Sequence, residues 1–345
     1  MNKFILQDIQ EIAADPNINW AQFKDATILI TGASGFIGSM LARTFLYCDK
    51  KFNLNIDLQL TGRNIEKLTQ ITKDFQQQPQ LIISDIENLN LNSDNLDYIF
   101  HCANITDSKM MLEQPVEVFR TAINGTSNIL NLARQYNATL IFLSSMEAYG
   151  IINNSEKPIT EEKLGTLDLE SPRTSYPESK RACECLCNLY SHEYDIKTRI
   201  IRLAQTFGPG LNLNDNRAPM YFTKCALRKE NIVLRTTGET ILNFCYISDA
   251  ISGILTSLNS QKKHETFNIC NDNEHPNILQ AATMIVDNIS HNQIRIDIQV
   301  PKESSCYAPT NHMLLSSAKI KNYGWAPKHN LFSSYQRLYD YISTL

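Results

Sequence analysis

The amino-acid sequence predicts an α/β fold, a doubly wound parallel sheet followed by a smaller C-terminal substrate-binding lobe. Three observations carry this. Six short apolar runs recur between residues 27 and 203 with helix-length segments between them, the runs are apolar on both faces, and a glycine-rich turn follows the first of them directly. Runs without polar alternation, separated by crossover-length helices, belong to parallel strands covered on both sides. A chain of 345 residues, 43% apolar and 20% charged, can bury such a core. Its net charge of -4 supplies no basic field, so neither nucleic acid nor an anionic membrane is expected as a partner.

In chain order, residues 1–26 form an N-terminal extension in which "INWAQF" reads as a short helical cap. The opening "MNKFILQDIQEIAADPN" is broken by acids and amides too early for a secretory signal, and no run approaches the ~20 apolar residues of a membrane span. The expected location is the cytoplasm, where the nine cysteines would stay thiols. "CECLC" sets Cys183, Cys185 and Cys187 about 200° apart round a helix, so they do not converge on a metal and none is expected. The strands expected are "TILIT" (27–31), "IDLQLTG" (56–62), "QLIISD" (80–85), "YIFHCA" (98–103), "TLIFLSS" (139–145) and "TRIIRL" (198–203). They assign residues 27–208 to a Rossmann dinucleotide-binding domain. After Gly208-Pro209 the pattern changes: "MYFTKCALRK" reads as a helix, "NIVLRT" and "LNFCYIS" as short strands, and "DAISGILTSL" (249–258) as a helix with an acidic cap. Residues 209–345 are thus assigned mainly to the lobe, discontinuous with the first domain.

"ILITGASGFIGSMLARTFL" puts Gly32, Gly35 and Gly38 between a buried strand and an amphipathic helix. A dinucleotide pyrophosphate needs that arrangement: a tight turn, close backbone approach, and amide hydrogens at a helix N-terminus. Ser34, Phe36 and Ile37 complete the loop, and Ala103, at the end of the "YIFHCA" strand, is assigned to the same site. At the end of the second strand, where an acid would hold the ribose of NAD, stand Thr61, Gly62, Arg63 and Asn64. A guanidinium with an amide beside it suits a 2′-phosphate, which favours NADP(H) over NAD(H); Arg63 capping a solvated turn is the other reading. Asp85 and Ile86 are placed to meet the adenine edge, although Asp85 could equally cap the following loop.

"SYPESK" sets Tyr176 and Lys180 one turn apart on one helix face. A phenol with a normal pKa near 10 becomes a base when cations, the ammonium and an oxidised nicotinamide, favour its ionised form. These residues follow the dinucleotide loop and the strand-end hydroxyls of "SSMEAYG".

Together the motifs resemble an extended short-chain dehydrogenase/reductase, the family of nucleotide-sugar epimerases, dehydratases, decarboxylases and reductases, over about residues 27 to 330. "TGASGFIG", "SSMEAYG", "YPESK", "IRLAQTFGPG", "NFCYISDA" and "NYGWAP" carry the likeness. The resemblance implies that Ser145 hydrogen-bonds the reacting sugar oxygen, that Tyr176 is the acid/base, that Lys180 supports it and contacts the nicotinamide ribose, and that Asn124 supports the centre. Homodimerisation through a helix pair is also implied. Met146 stands where the family's 4,6-dehydratases have the acid for a leaving hydroxyl. Glu147 is kept, as in the dehydratases and UDP-glucuronate decarboxylases; a base, a hydroxyl-orienting group and a ligand of a loop amide all remain open for it. Gln205 replaces the usual Asn, and Leu242 the usual diphosphate-binding Arg, so Arg217, Arg228 or Arg235 would have to supply the charge.

Arg63 and Met146 together favour an NADPH-dependent reductase of a nucleotide-linked keto sugar, such as a CDP-linked ketose reduced to its alditol for bacterial surface polysaccharide. The alternative is a redox-neutral NAD-dependent epimerase, decarboxylase or 4,6-dehydratase. A non-catalytic dinucleotide sensor is the remote third, disfavoured because Ser145, Tyr176 and Lys180 are all present.

Overall fold

A computed structural model describes residues 1–152, 157–301 and 312–345. Seven parallel strands form the central sheet: β1 (Thr27–Thr31), β2 (Asp57–Gly62), β3 (Gln80–Ile83), β4 (Tyr98–His101), β5 (Thr139–Ser145), β6 (Thr198–Leu203) and, further along the chain, β10 (His264–Ile269). Their order across the sheet is β10-β6-β5-β4-β1-β2-β3. The direction of winding reverses between β1 and β4, which opens a crevice at their carboxyl ends.

Successive residues of one strand serve opposite faces. Leu29, Ile99, Leu140, Phe142 and Ile200 pack against α5 (Pro115–Tyr136) and α6 (Ser175–Tyr194) through Ile129, Leu130, Cys183 and Cys187. Ile28, Ile30, Phe100, Ile141 and Ile201 meet the other layer, built from α1 (Lys3–Ala13), α2 (Phe36–Phe52) and α8 (Ile247–Thr256), with Ile9, Ile12, Met40, Phe45, Ile251 and Ile254 among its packing residues. This two-sided covering is why the strands read as unbroken apolar runs. Cys183 and Cys187 are buried and Cys185 is exposed, as two-residue spacing on a helix requires.

Between the second and sixth strands lie α3 (Ile65–Thr72) and α4 (Ser108–Glu113). The lobe adds β7 (Gln205–Phe207), α7 (Ala218–Arg228), β8 (Ile232–Leu234), β9 (Phe244–Tyr246), α9 (Ile278–Met284) and β11 (Ile296–Ile298). Parallel pairs β7·β9 and β8·β11 hold it together, and α10 (Ala318–Lys321) and α11 (Leu331–Ile342) follow.

After residue 208 the chain returns once to the sheet, where β10 pairs with β6 from His264↔Thr198 to Ile269↔Leu203. Two expectations change. Asp249 does not cap α8: the cap is Tyr246, and Asp249 lies in the first turn, buried, accepting from the His329 amide at 3.0 Å. The extension is more than a cap. Trp20–Phe23 forms a single 3-10 turn whose rings pack on Phe45, and α1 ahead of it buries Ile5, Asp8, Ile9 and Ile12 along one face. No helix among the described residues is long and apolar enough to cross a membrane.

Candidate active site

A cleft of about 610 Å³ opens at the carboxyl ends of β1, β4 and β5, where the winding reverses. One end is built by the β1–α2 turn. Gly32 adopts φ +61, and a Cβ there would stand 2.7 Å from the Ala103 backbone. A Cβ on Gly38 would stand 2.4 Å from the Gly32 carbonyl oxygen, so helix and turn pack with no room for a side chain. Helix α2 opens on Gly35 without a side-chain cap, which leaves its first-turn amides to a ligand. This uncapped, glycine-lined cradle fits the pyrophosphate of a dinucleotide. Gly32, Ser34, Gly35, Phe36, Ile37 and Gly38 all line the cleft.

Arg63, Asp85, Ile86 and Ala103 line the same end. Asn64 does not: its side chain caps α3, accepting the Lys67 amide at 2.9 Å. Asn124 is a second correction. It is exposed on α5 and does not line the cleft, although it shares a helix face with Glu117 and Thr121, which do. The asparagine that supports the site from α5 is Asn128, which donates to the carbonyls of Ile86 and Leu89 at 2.9 and 2.8 Å. Beneath the turn, Thr31 Oγ1 lies 2.8 Å from His101 Nδ1 and accepts the Ala103 amide at 3.2 Å. Burial holds His101 neutral, its pKa lowered to about 3.

In the middle of the cleft, β5 ends at Ser145, whose Oγ accepts the Glu147 amide at 3.2 Å. Tyr176 and Lys180 come from the first turns of α6, and both are buried. The Lys180 ammonium donates to the Leu143 carbonyl at 2.6 Å and lies 5.8 Å from the Tyr176 ring. Burial lowers its pKa to about 8, partly offset by Cys183 and Glu184. Burial pushes the Tyr176 phenol well above its ordinary value, and the Glu147 charge adds to this; a hydrogen bond with Ser145 and the charges of Arg173 and Arg217 work the other way. Ser145, Tyr176, Lys180 and Glu147 therefore meet in one volume.

Behind them lies a buried ionic support. Ser144 Oγ donates to Glu184 Oε1 at 2.5 Å, and Arg202 clamps the same carboxylate through Nη2 at 2.7 Å and Nε at 3.0 Å. Glu184 follows Lys180 by four residues, so Tyr176, Lys180 and Glu184 occupy one helix face. That spacing could have revealed Glu184 in the sequence, where it went unread.

On the substrate side, Gln205 and Arg217 line the cleft. Arg217 is also paired to Asp215 at 2.7 Å. Arg235 does not line it: exposed at the end of β8, its Nη1 donates to Gln299 at 2.9 Å. Leu242 is buried in the core. Of the three arginines weighed for a diphosphate, Arg217 reaches the site.

Residues 28–270 match the model of the NAD dependent epimerase/dehydratase family. The chain belongs to this family of enzymes. The resemblance to extended short-chain dehydrogenases/reductases is thereby upheld. Among its relatives in the family, UDP-glucuronic acid decarboxylase 1 of Xenopus tropicalis is 31% identical over 274 residues, 78% of this chain and 62% of that protein. UDP-glucuronic acid decarboxylase 6 of Arabidopsis thaliana is 29% identical over 308 residues, 88% and 85% of the two chains. The structure of UDP-glucuronic acid 4-epimerase from Bacillus cereus, solved with UDP-glucuronic acid and NAD, shares the fold with a TM-score of 0.74 at 23% identity, over 92% of this chain and 99% of that one. These relatives fit the redox-neutral alternative better than the expected keto-sugar reduction, and none supports a preference for NADP.

Proposed function

We propose that the protein is an NAD-dependent, redox-neutral enzyme of nucleotide sugars, and that its reaction is the decarboxylation of a UDP-linked uronic acid. The observation that carries this is Glu147 at the end of β5, in the same cleft as Ser145, Tyr176 and Lys180, with apolar Met146 at the position where a dehydratase needs its acid. The decarboxylase names of the relatives support it.

When bound, NAD supplies an acceptor for the hydride at sugar C4 and returns the same hydride at the end of the turnover. Tyr176 takes the C4 hydroxyl proton, with Ser145 holding the oxygen and Lys180 favouring the phenolate. Oxidation makes the sugar a 4-keto acid whose carboxylate is β to the carbonyl, so the C5–carboxylate bond breaks, carbon dioxide leaves, and the electron pair passes to the C4 oxygen. Tyr176, now protonated, stabilises that oxygen; C5 then takes a proton from a solvent water that the Glu147 carboxylate would orient, and Tyr176 returns its own proton to the C4 oxygen when C4 is reduced again. Arg217 would meet the diphosphate.

Arg63 favours one departure. A cation and no carboxylate at the end of β2 supports use of NADP, and with it the reductase reading. Incubation with UDP-glucuronate separates the two: carbon dioxide and a UDP-pentose with no net change in nicotinamide absorbance is expected. Absence of carbon dioxide with steady NADPH consumption on a keto-sugar nucleotide would reject the decarboxylase. The same reading includes a homodimer through the outer faces of α5 and α6, which expose Val116, Phe119 and Leu189; sedimentation of the purified protein at the monomer mass would remove that part.

A further inference from the structure

Arg173 lies in the Pro172–Thr174 turn just ahead of α6 and was not among the residues read from the sequence. Its Nη2 stands 2.9 Å from Glu147 Oε2, and its Nη1 meets Met111 Sδ at 2.9 Å. The guanidinium thus ties the end of β5 to the start of α6 and to α4. Glu147 and Tyr176 line the same cleft, so an unpaired carboxylate would oppose formation of a phenolate beside it. The other cations facing Tyr176 are Lys180, one turn along α6, and Arg217, from the turn ahead of α7. Glu147 is the carboxylate acting on it, and Arg173 is the cation that touches this carboxylate. Its planar fork also fixes the direction in which Glu147 points, which a flexible ammonium would not do.

We propose that Arg173 is a positioning residue of the sugar site: its ion pair holds the Glu147 carboxylate in place beside the reacting hydroxyls and screens Tyr176 from that negative charge. The use made of Glu147 rests on the reaction proposed above; the screening of Tyr176 does not.

The test is a pH titration of tyrosinate absorbance in the NAD-loaded protein, each variant measured against its own Tyr176→Phe counterpart so that one phenol is read. Bound NAD brings positive charge to the phenol and its ionisation into a workable range. Arg173→Met leaves one uncompensated negative charge and is expected to move the midpoint up by about one pH unit, roughly tenfold in phenolate at a fixed pH. Glu147→Gln is expected to move it down. The double variant restores the net charge of the pair and should return to the wild-type midpoint, as should Arg173→Lys. With UDP-glucuronate, the acid limb of kcat is expected to move in parallel with the titration while KM holds. An unmoved midpoint in Arg173→Met, or one that Arg173→Lys fails to restore, overturns the proposal. Because the titration needs no sugar, a normal titration series with no carbon dioxide release would reject the reaction and leave the role of Arg173 standing.

Discussion

Tyr176 is pulled in two directions. Its ring is buried and stands near the Glu147 carboxylate, both of which favour the neutral phenol, while Ser145, Arg173 and Arg217 favour the phenolate. The unliganded residue is therefore an acid, and it becomes a base as positive charge arrives. Tyr176→Phe keeps the packing and removes the proton carrier, so turnover should fall by roughly 10²–10⁴ while NAD still binds. A variant retaining more than a tenth of wild-type turnover would show that another group moves the proton. At this scale the sequence was readable where chemistry and local spacing coincide, as at Tyr176 and Lys180. Asn124 was misread because it shares a helix face with residues that line the cleft, and only the tertiary arrangement decides which positions along that face reach it. Arg173 was missed because its partner precedes it by 26 positions and only folding joins them.

The elements read most clearly were those buried on both faces. Strands β1, β5 and β6 have the bounds expected from their apolar runs, since an inner strand shows water neither side. Strand β10 escaped because it carries Glu265 and Asn268, polar residues whose burial is made possible by distant partners: Glu265 accepts from Ser260 at 2.5 Å, and Asn268 accepts the Tyr149 hydroxyl at 2.7 Å. Such satisfied polar groups hide a strand from any hydrophobic pattern. The β1–α2 turn was legible for the opposite reason, because its glycines answer a steric demand within a few residues. Gly38→Ala tests that demand. The added methyl meets the Gly32 carbonyl and the Ala33 Cα, so the turn must open. NAD affinity should drop by at least tenfold in calorimetric titration, with the far-ultraviolet spectrum of the fold unchanged. Wild-type affinity would mean that helix and turn have slack the structure does not show.

Across the whole molecule, the least anticipated part is the extension. Asp8 lies fully buried on the apolar face of α1 and accepts the Tyr246 hydroxyl at 2.9 Å, with Arg337 at 3.5 Å, while Glu11 takes the closer contact with Arg337 at 2.7 Å and pairs with His329. Burial outweighs these partners and raises the Asp8 pKa to about 7. The sign follows from the proton count. Between the ordinary value of 3.8 and about 7 the folded chain holds a proton that the unfolded chain has lost, so the contribution of Asp8 is fully present below that window and declines as pH rises through it. Asp8→Asn, which cannot ionise, should lose less stability than wild type between pH 5 and 8, with a divergence on the order of a few kcal/mol. Denaturant midpoints of the two proteins that run parallel over that range would show that Asp8 does not titrate there.

The same contact joins two distant stretches of chain into one structural unit. Helix α1 packs in part on α2, close by in the sequence, but Tyr246, His329 and Arg337, which meet its Asp8 and Glu11, lie more than two hundred residues further along the chain. Pairing over such a separation costs chain entropy before any contact rewards it. Helix α1 is therefore expected to dock after the sheet has formed, and to come away together with α11 when the fold opens locally.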